Sequence, residues 1–360
     1  MTMSRKLLIL SLLLAAWITS CTRSCSALGT GQDHEPEVEK KINLFIWGDY
    51  TSKAIFSEFE RQTEIKVVES NFSSNEELLA KLQAGADGYD LIIPSDYMVT
   101  VMRQLDLLEP LNRANIPNAN NIDPKLMSKA FDPDNTYSLP YSWAVTGIVF
   151  NQKKVHPPIT GYGNLFLRDD IKYRIGLLDD SREVIGSVLK SMGQSVNTTA
   201  DKELDAAKTA LIKLKRDVRE FTSYPTSLLM QGDLLAAQIY SNEALRLIQA
   251  KPEFKFVLPE EGFTMAIDNM AIPRKSKRKD NSLKLINFLL RDDVNLQFAQ
   301  ELLCPPVVRN GTARLPESMQ SQPSIGQFDL IQTKGEMLKD LGTVIRKYDR
   351  IWTEVKASPI

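Results

Sequence analysis

Two long β-prone runs, residues 143–150 and 264–272, constrain the fold of this chain most. The first follows a polar, proline-punctuated stretch, 112–134, and the segment Tyr137-Ser138-Leu139-Pro140-Tyr141. The second ends at Pro273. Between them lie further strand and helix patterns, so the two runs read as an outward and a return crossover between two lobes. A chain of 360 residues is long enough for two cores. The reading is therefore an α/β fold of two lobes, each a central β-sheet flanked by helices, with a hinge between them. Residues 41–144 and 268–303 are assigned to the first lobe, 145–267 and 304–341 to the second, and 342–360 to a terminal helix and tail.

In the first lobe, strand and helix patterns alternate. Residues 42–47 are a strand-like apolar run, and 52–61 carry helical spacing through Ile55, Phe56 and Phe59. Residues 65–68 read as the next strand. Ser74 caps a helix with Glu77 as its reciprocal partner and Leu78, Leu79 and Leu82 as its apolar stripe. Residues 90–93 give a third strand, and Pro94-Ser95 leads into a short helix. This alternation predicts parallel strands. The second lobe holds a strand at 175–178, a charged amphipathic helix at 201–216, a strand at 234–240 with a helix to 250, and a strand at 254–258. Helices at 282–290 and 294–302 return to the first lobe.

The N-terminus has a different character. Arg5 and Lys6 precede an apolar run, 7–18, too short to span a bilayer. Ile18-Thr19-Ser20-Cys21 then resembles a lipobox, so 1–20 is expected to be a signal peptide and Cys21 a lipidated N-terminus that holds the protein on a membrane. Residues 21–40, polar and rich in Ser, Gly and acids, read as a flexible tether. Only Cys25 and Cys304 remain, which argues against a disulfide framework and makes Cys304 a buried or half-buried thiol.

Several function classes drop out. The formal net charge of -1 gives no bias toward nucleic acid. Five of the six residues from 274 to 279 are basic, but without interleaved aromatics they read as a solvated loop. His34 and His156 are the only histidines, so a His-rich metal site is excluded and a catalytic triad would need His156. There is no Walker A loop, GxGxxG or CxxC. No metal and no cofactor are expected.

The stretch 177–184, Leu-Leu-Asp-Asp-Ser-Arg-Glu-Val, carries the most pointed chemistry. An apolar strand ends in acids and a helical pattern follows. Asp180 and Glu183 fit a capping box. They also place two carboxylates on one face at the carboxyl end of a strand, where α/β folds hold ligands.

The chain resembles the spermidine/putrescine-binding proteins of bacterial polyamine ABC transporters. The resemblance rests on Phe45-Ile46-Trp47-Gly48-Asp49-Tyr50, Tyr89-Asp90-Leu91-Ile92-Ile93-Pro94-Ser95, Phe131-Asp132-Pro133 and Ser138-Leu139-Pro140-Tyr141. It continues through 177–184, Asp268-Asn269-Met270-Ala271-Ile272-Pro273 and Leu285-Ile286-Asn287-Phe288-Leu289-Leu290. It implies a periplasmic-binding-protein fold with the ligand in the interlobe cleft. Ligand-contacting positions fall on Trp47, Asp49, Tyr50, Ser95, Tyr97, Asp180, Glu183, Tyr240 and Asp268. Carboxylates interleaved with aromatic rings suit a chain of ammonium groups and methylenes. Three positions depart from the family pattern: Ala266 and Cys304 replace cleft aromatics, and Leu338 replaces a glutamine. The implied protein is a monomeric, extracytoplasmic, lipid-anchored binding protein that hands a polyamine to a permease, and not an enzyme. A binding protein for another solute, or a hydrolase using Asp180 and Glu183 as acid and base, are the competing readings.

Overall fold

A computed structural model describes residues 39–359. The signal segment 1–20, Cys21, Cys25, His34 and nearly all of the tether lie outside the described residues.

Ten strands occur among the described residues: β1 (Lys41–Trp47), β2 (Lys66–Phe72), β3 (Leu91–Ile92), β4 (Ser138–Asn151), β5 (Ile175–Leu177), β6 (Val218–Phe221), β7 (Ala236–Tyr240), β8 (Phe254–Val257), β9 (Phe263–Ala271) and β10 (Gly335–Met337). They run in the order β2-β1-β3-β9-β4-β7-β5-β6, with β10 on β9 and β8 on β4. The strands β1, β2 and β3 are parallel, as are β5, β6 and β7. The contacts of β9 with β3 and β4, and of β4 with β7 and β8, are antiparallel.

The strand β4 is the shared element. Its residues from Ser138 to Val145 pair with β9, and those from Thr146 onward pair with β7 and β8. One continuous strand thus belongs to both halves of the sheet, and β9 runs back beside it. The strand starts earlier than its apolar run, at Ser138, and includes Pro140, which lacks the N–H a central ladder needs. A register shift between Pro140 and Ser142 accommodates it, leaving Tyr141 as the extra residue of a bulge.

Each half has a core. Ile42, Leu44, Phe45 and Ile46 of β1 pack with Ile55, Phe56 and Phe59 of the helix Lys53–Thr63. Leu177 and Leu178 pack with Val184, Ile185, Val188 and Leu189 of the helix Ser181–Ser191. Full burial of each such side chain contributes about 1.5–3 kcal/mol before chain entropy is counted. The short strands β6 and β10, Val-Arg-Glu-Phe and Gly-Glu-Met, were not expected from sequence. Neither is long or alternating enough to show a period.

Four of the five cations in the basic run are paired within the fold. Arg274 pairs with Asp106, Lys277 with Asp87, Arg278 with Asp90 and Lys279 with Glu109. A loop whose cations already have acidic partners offers little to a phosphate backbone.

Candidate ligand-binding site

Strand periodicity builds the floor of the site. On β4 and β9 the pairs Ser142–Asp268 and Ala144–Ala266 stand opposite each other. Alternation puts Ser142, Ala144 and Thr146 on the same face as Thr264, Ala266 and Asp268. Ala144, Ala266 and Asp268 are half-buried, whereas Trp143, Val145, Met265 and Ile267 on the opposite face are buried in the core. The floor is therefore a two-strand ribbon of small side chains. Thr264 and Asp268 lie about 13 Å apart along it.

An acid stands at each end. Asp268 Oδ2 accepts from Tyr50 Oη at 3.0 Å, and its Oδ1 accepts from Ser95 Oγ at 2.7 Å. Tyr50 is held in turn by the bulge: Tyr141 Oη donates to the Tyr50 carbonyl at 2.8 Å, and the two rings meet edge to face at 5.5 Å. Burial pushes Asp268 up to about 6, against the two hydroxyl donors that favour its charged form. At the other end Glu183 Oε2 accepts from Thr264 Oγ1 at 2.5 Å. Burial, and then the nearby Asp180, push Glu183 up to about 7.

Asp180 caps the helix Ser181–Ser191, and its Oδ1 accepts from Arg182 N at 2.8 Å and Glu183 N at 3.1 Å. Only half of the expected capping box forms, because Glu183 turns its carboxylate to Thr264 instead of back to the chain. Asp180 is also raised by burial, but it remains exposed along one side, so the shift of the buried Glu183 carries more weight.

Tyr97 and Tyr240 join the acid pair. Tyr97 Oη donates to Glu76 Oε1 and accepts from Asn75 Nδ2, both at 3.1 Å. Both phenols are pushed above their usual range by burial, with Asp180 adding to the effect on each. The structure thus forms two groups, Tyr50–Ser95–Asp268 and Tyr97–Asp180–Glu183–Tyr240, along one ribbon. Trp47 and Asp49 are hydrogen-bonded to neither group among the described residues. Trp47 packs edge-on against Phe72 at 4.6 Å, and its buried indole N–H has no partner. An ammonium, itself a donor, could use the ring face but not that N–H. Asp49 is exposed, with φ of 54°.

Three residues escaped sequence reading. Asp96 is buried, with Oδ1 on Tyr97 N at 2.7 Å and Oδ2 on Ile267 N at 3.2 Å, and burial raises it to about 7. It ties the helix Asp96–Gln104 to β9. Thr264 reaches Glu183, and Glu243, raised by burial, acts on Tyr240. A Thr in a β-prone run and a Glu in a helix's first turn carry no local signal of these contacts. Cys304 is a buried free thiol, pushed up to about 11 by that burial. Ser142 Oγ is buried beside Cys304 and Tyr50.

Asp268 has no cation among the influences on it, and Arg182 turns its guanidinium to Asn197 Oδ1, Lys339 O and the Tyr348 ring. Neither Glu183 nor Asp268 forms an ion pair among the described residues, and the only cation there that favours a charged form is Arg182, near Glu183, so holding both acids ionised is unfavourable.

Known proteins share this architecture. A family model described as bacterial extracellular solute-binding protein matches residues 54–325. The spermidine/putrescine-binding periplasmic protein of Salmonella typhimurium is 34% identical over 334 residues, 92% of this chain and 95% of that protein. The putrescine-binding periplasmic protein PotF of Escherichia coli is 29% identical over 340 residues, 89% of this chain and 92% of that one. Among solved structures, the spermidine/putrescine ABC transporter substrate-binding protein PotD from Streptococcus pneumoniae superposes with a TM-score of 0.81 at 29% identity, covering 88% of this chain and 98% of that chain. The match spans both halves of the sheet and the ribbon between them, and this chain belongs to the family of bacterial extracellular solute-binding proteins.

Proposed function

We propose that this protein captures a polyamine outside the cytoplasmic membrane and delivers it to an ABC permease. The observation that carries the reading is the pair of acids, Glu183 and Asp268, at the two ends of a small-residue ribbon, neither in an ion pair among the described residues. Ammonium groups at the ends supply the missing charges, and methylenes lie over Ala144 and Ala266. Tyr97 and Tyr240 flank one end. Asp180 contributes the oxygen not engaged in capping, and Trp47 its ring face. Asp49 and Tyr50 lie on the turn after β1, at the edge of the slot. The relatives named above bind spermidine or putrescine by their names, which agrees with this chemistry.

Binding would draw the two halves together around the ribbon, and the closed form is the one a permease recognises. Cys21 would carry the lipid that keeps the protein at the membrane. A hydrolase reading has less support. Glu183 is buried and accepts from the Thr264 hydroxyl, which turns its carboxylate into the fold and away from a general acid–base role with Asp180.

Native mass spectrometry of the purified protein, followed by calorimetry with putrescine, cadaverine, spermidine and spermine, tests the proposal. A retained polyamine mass and saturable heat are expected. No heat with any of the four would sink it.

A further inference from the structure

Arg246 belongs to neither group of site residues. It lies half-buried on the helix Ser241–Ala250, which begins where β7 ends at Tyr240, on the edge that carries the slot. Its Nη2 donates to the backbone carbonyl of Asp49, in the turn after β1, at 3.5 Å. Its charge also bears on Cys304, which neighbours Tyr50 and Asp268. A cation therefore stands beside Asp49 and Cys304, on the Tyr50 side of the slot, reaching from one half of the sheet to the other without acting on Asp268 itself. Glu243, one turn earlier, feels that charge, but the two form no ion pair among the described residues. At the other end Arg182 sits beside Asp180 and Glu183. The slot is bracketed by arginines.

We propose that Arg246 is a specificity-determining residue that closes the Asp268 end of the slot to a further ammonium group, so that the protein takes short diamines in preference to tri- and tetramines. The inference rests on the polyamine reading. Two ammonium groups match Glu183 and Asp268. A third must lie past one of them, close to an arginine, where like charges repel in a partly desolvated space.

The test is calorimetric titration of the full-length protein and its R246Q and R246K variants with putrescine, cadaverine, spermidine and spermine, with melting curves to verify folding. The wild type is expected to favour a diamine over spermidine by about tenfold or more. R246Q should narrow that ratio by about tenfold, and R246K, which keeps the charge, should preserve most of it. A ratio unchanged in R246Q, or a wild type that favours spermidine, overturns the role of Arg246 while leaving polyamine binding intact. Absence of binding by every polyamine to the wild type overturns both.

Discussion

Cation binding in this slot should be coupled to proton release. Burial, reinforced at Glu183 by the nearby Asp180, holds Glu183 at about 7 and Asp268 at about 6. An ammonium beside each favours the ionised form, so both values fall on binding and protons leave. Asp96 takes no part, since backbone N–H groups occupy both of its oxygens. With those two values, about 0.6 proton is released per ligand near pH 7 and about 1.7 near pH 5.5. The same arithmetic makes affinity roughly a hundredfold weaker near pH 5.5 than near pH 8, or about 2.7 kcal/mol. That is the ceiling, reached when the free protein encloses its acids as fully as this structure does. Calorimetry at several pH values, in two buffers of different ionisation heat, reads both quantities. Equal apparent heats in the two buffers near pH 6, with flat affinity across the range, would refute the reasoning.

The remaining predictions concern the two acids. A carboxyl whose folded pKa is raised destabilises the protein as pH climbs from its unfolded value through about 7 for Glu183, and the full penalty applies above that. Glu183→Gln should therefore raise the melting temperature of the ligand-free protein near pH 8 by roughly 2–6 °C, while the difference fades toward pH 5 and polyamine affinity collapses. A lower melting temperature at both pH values would contradict this. Tyr50→Phe removes a donor from Asp268, raises its proton affinity further, and should weaken binding by only about twofold near pH 8, where the acid is ionised with or without ligand. The loss should grow at lower pH, because Asp268 then holds its proton more tightly. Unchanged affinity in titration would show that Tyr50 does not support the acid.

Local chemistry was legible and tertiary chemistry was not. The runs that became β4 and β9 stood out because a long β-prone stretch has few other uses. Asp180 could be read as a cap, and it is one. Ser95 leads into the helix Asp96–Gln104 as its position predicts, yet its hydroxyl makes no cap bond and donates to Asp268, a residue far along the chain. The spacing of Glu183 suggested a return to its own helix start, but Thr264 on the crossing strand offered a better donor in a buried setting. Asp96 passed unnoticed because an acid at a helix start is commonplace, and its second bond, to Ile267 N, exists only once β9 is in place.

The bulge at Tyr141 also acts as a phase boundary. In a paired strand, odd and even residues face opposite ways, and a single extra residue exchanges their parity. Upstream of Tyr141, the approach through the loop at 112–134 can gain or lose residues while the bulge preserves the alignment beyond it. Downstream no such buffer exists before the strand has crossed into the second half. One inserted residue there would swap Ser142, Ala144 and Thr146 with Trp143 and Val145, driving an indole into the slot and hydroxyls into the core. Length variation should be tolerated on one side of Tyr141 and ruinous on the other, so the small-residue ribbon is in effect counted from that residue.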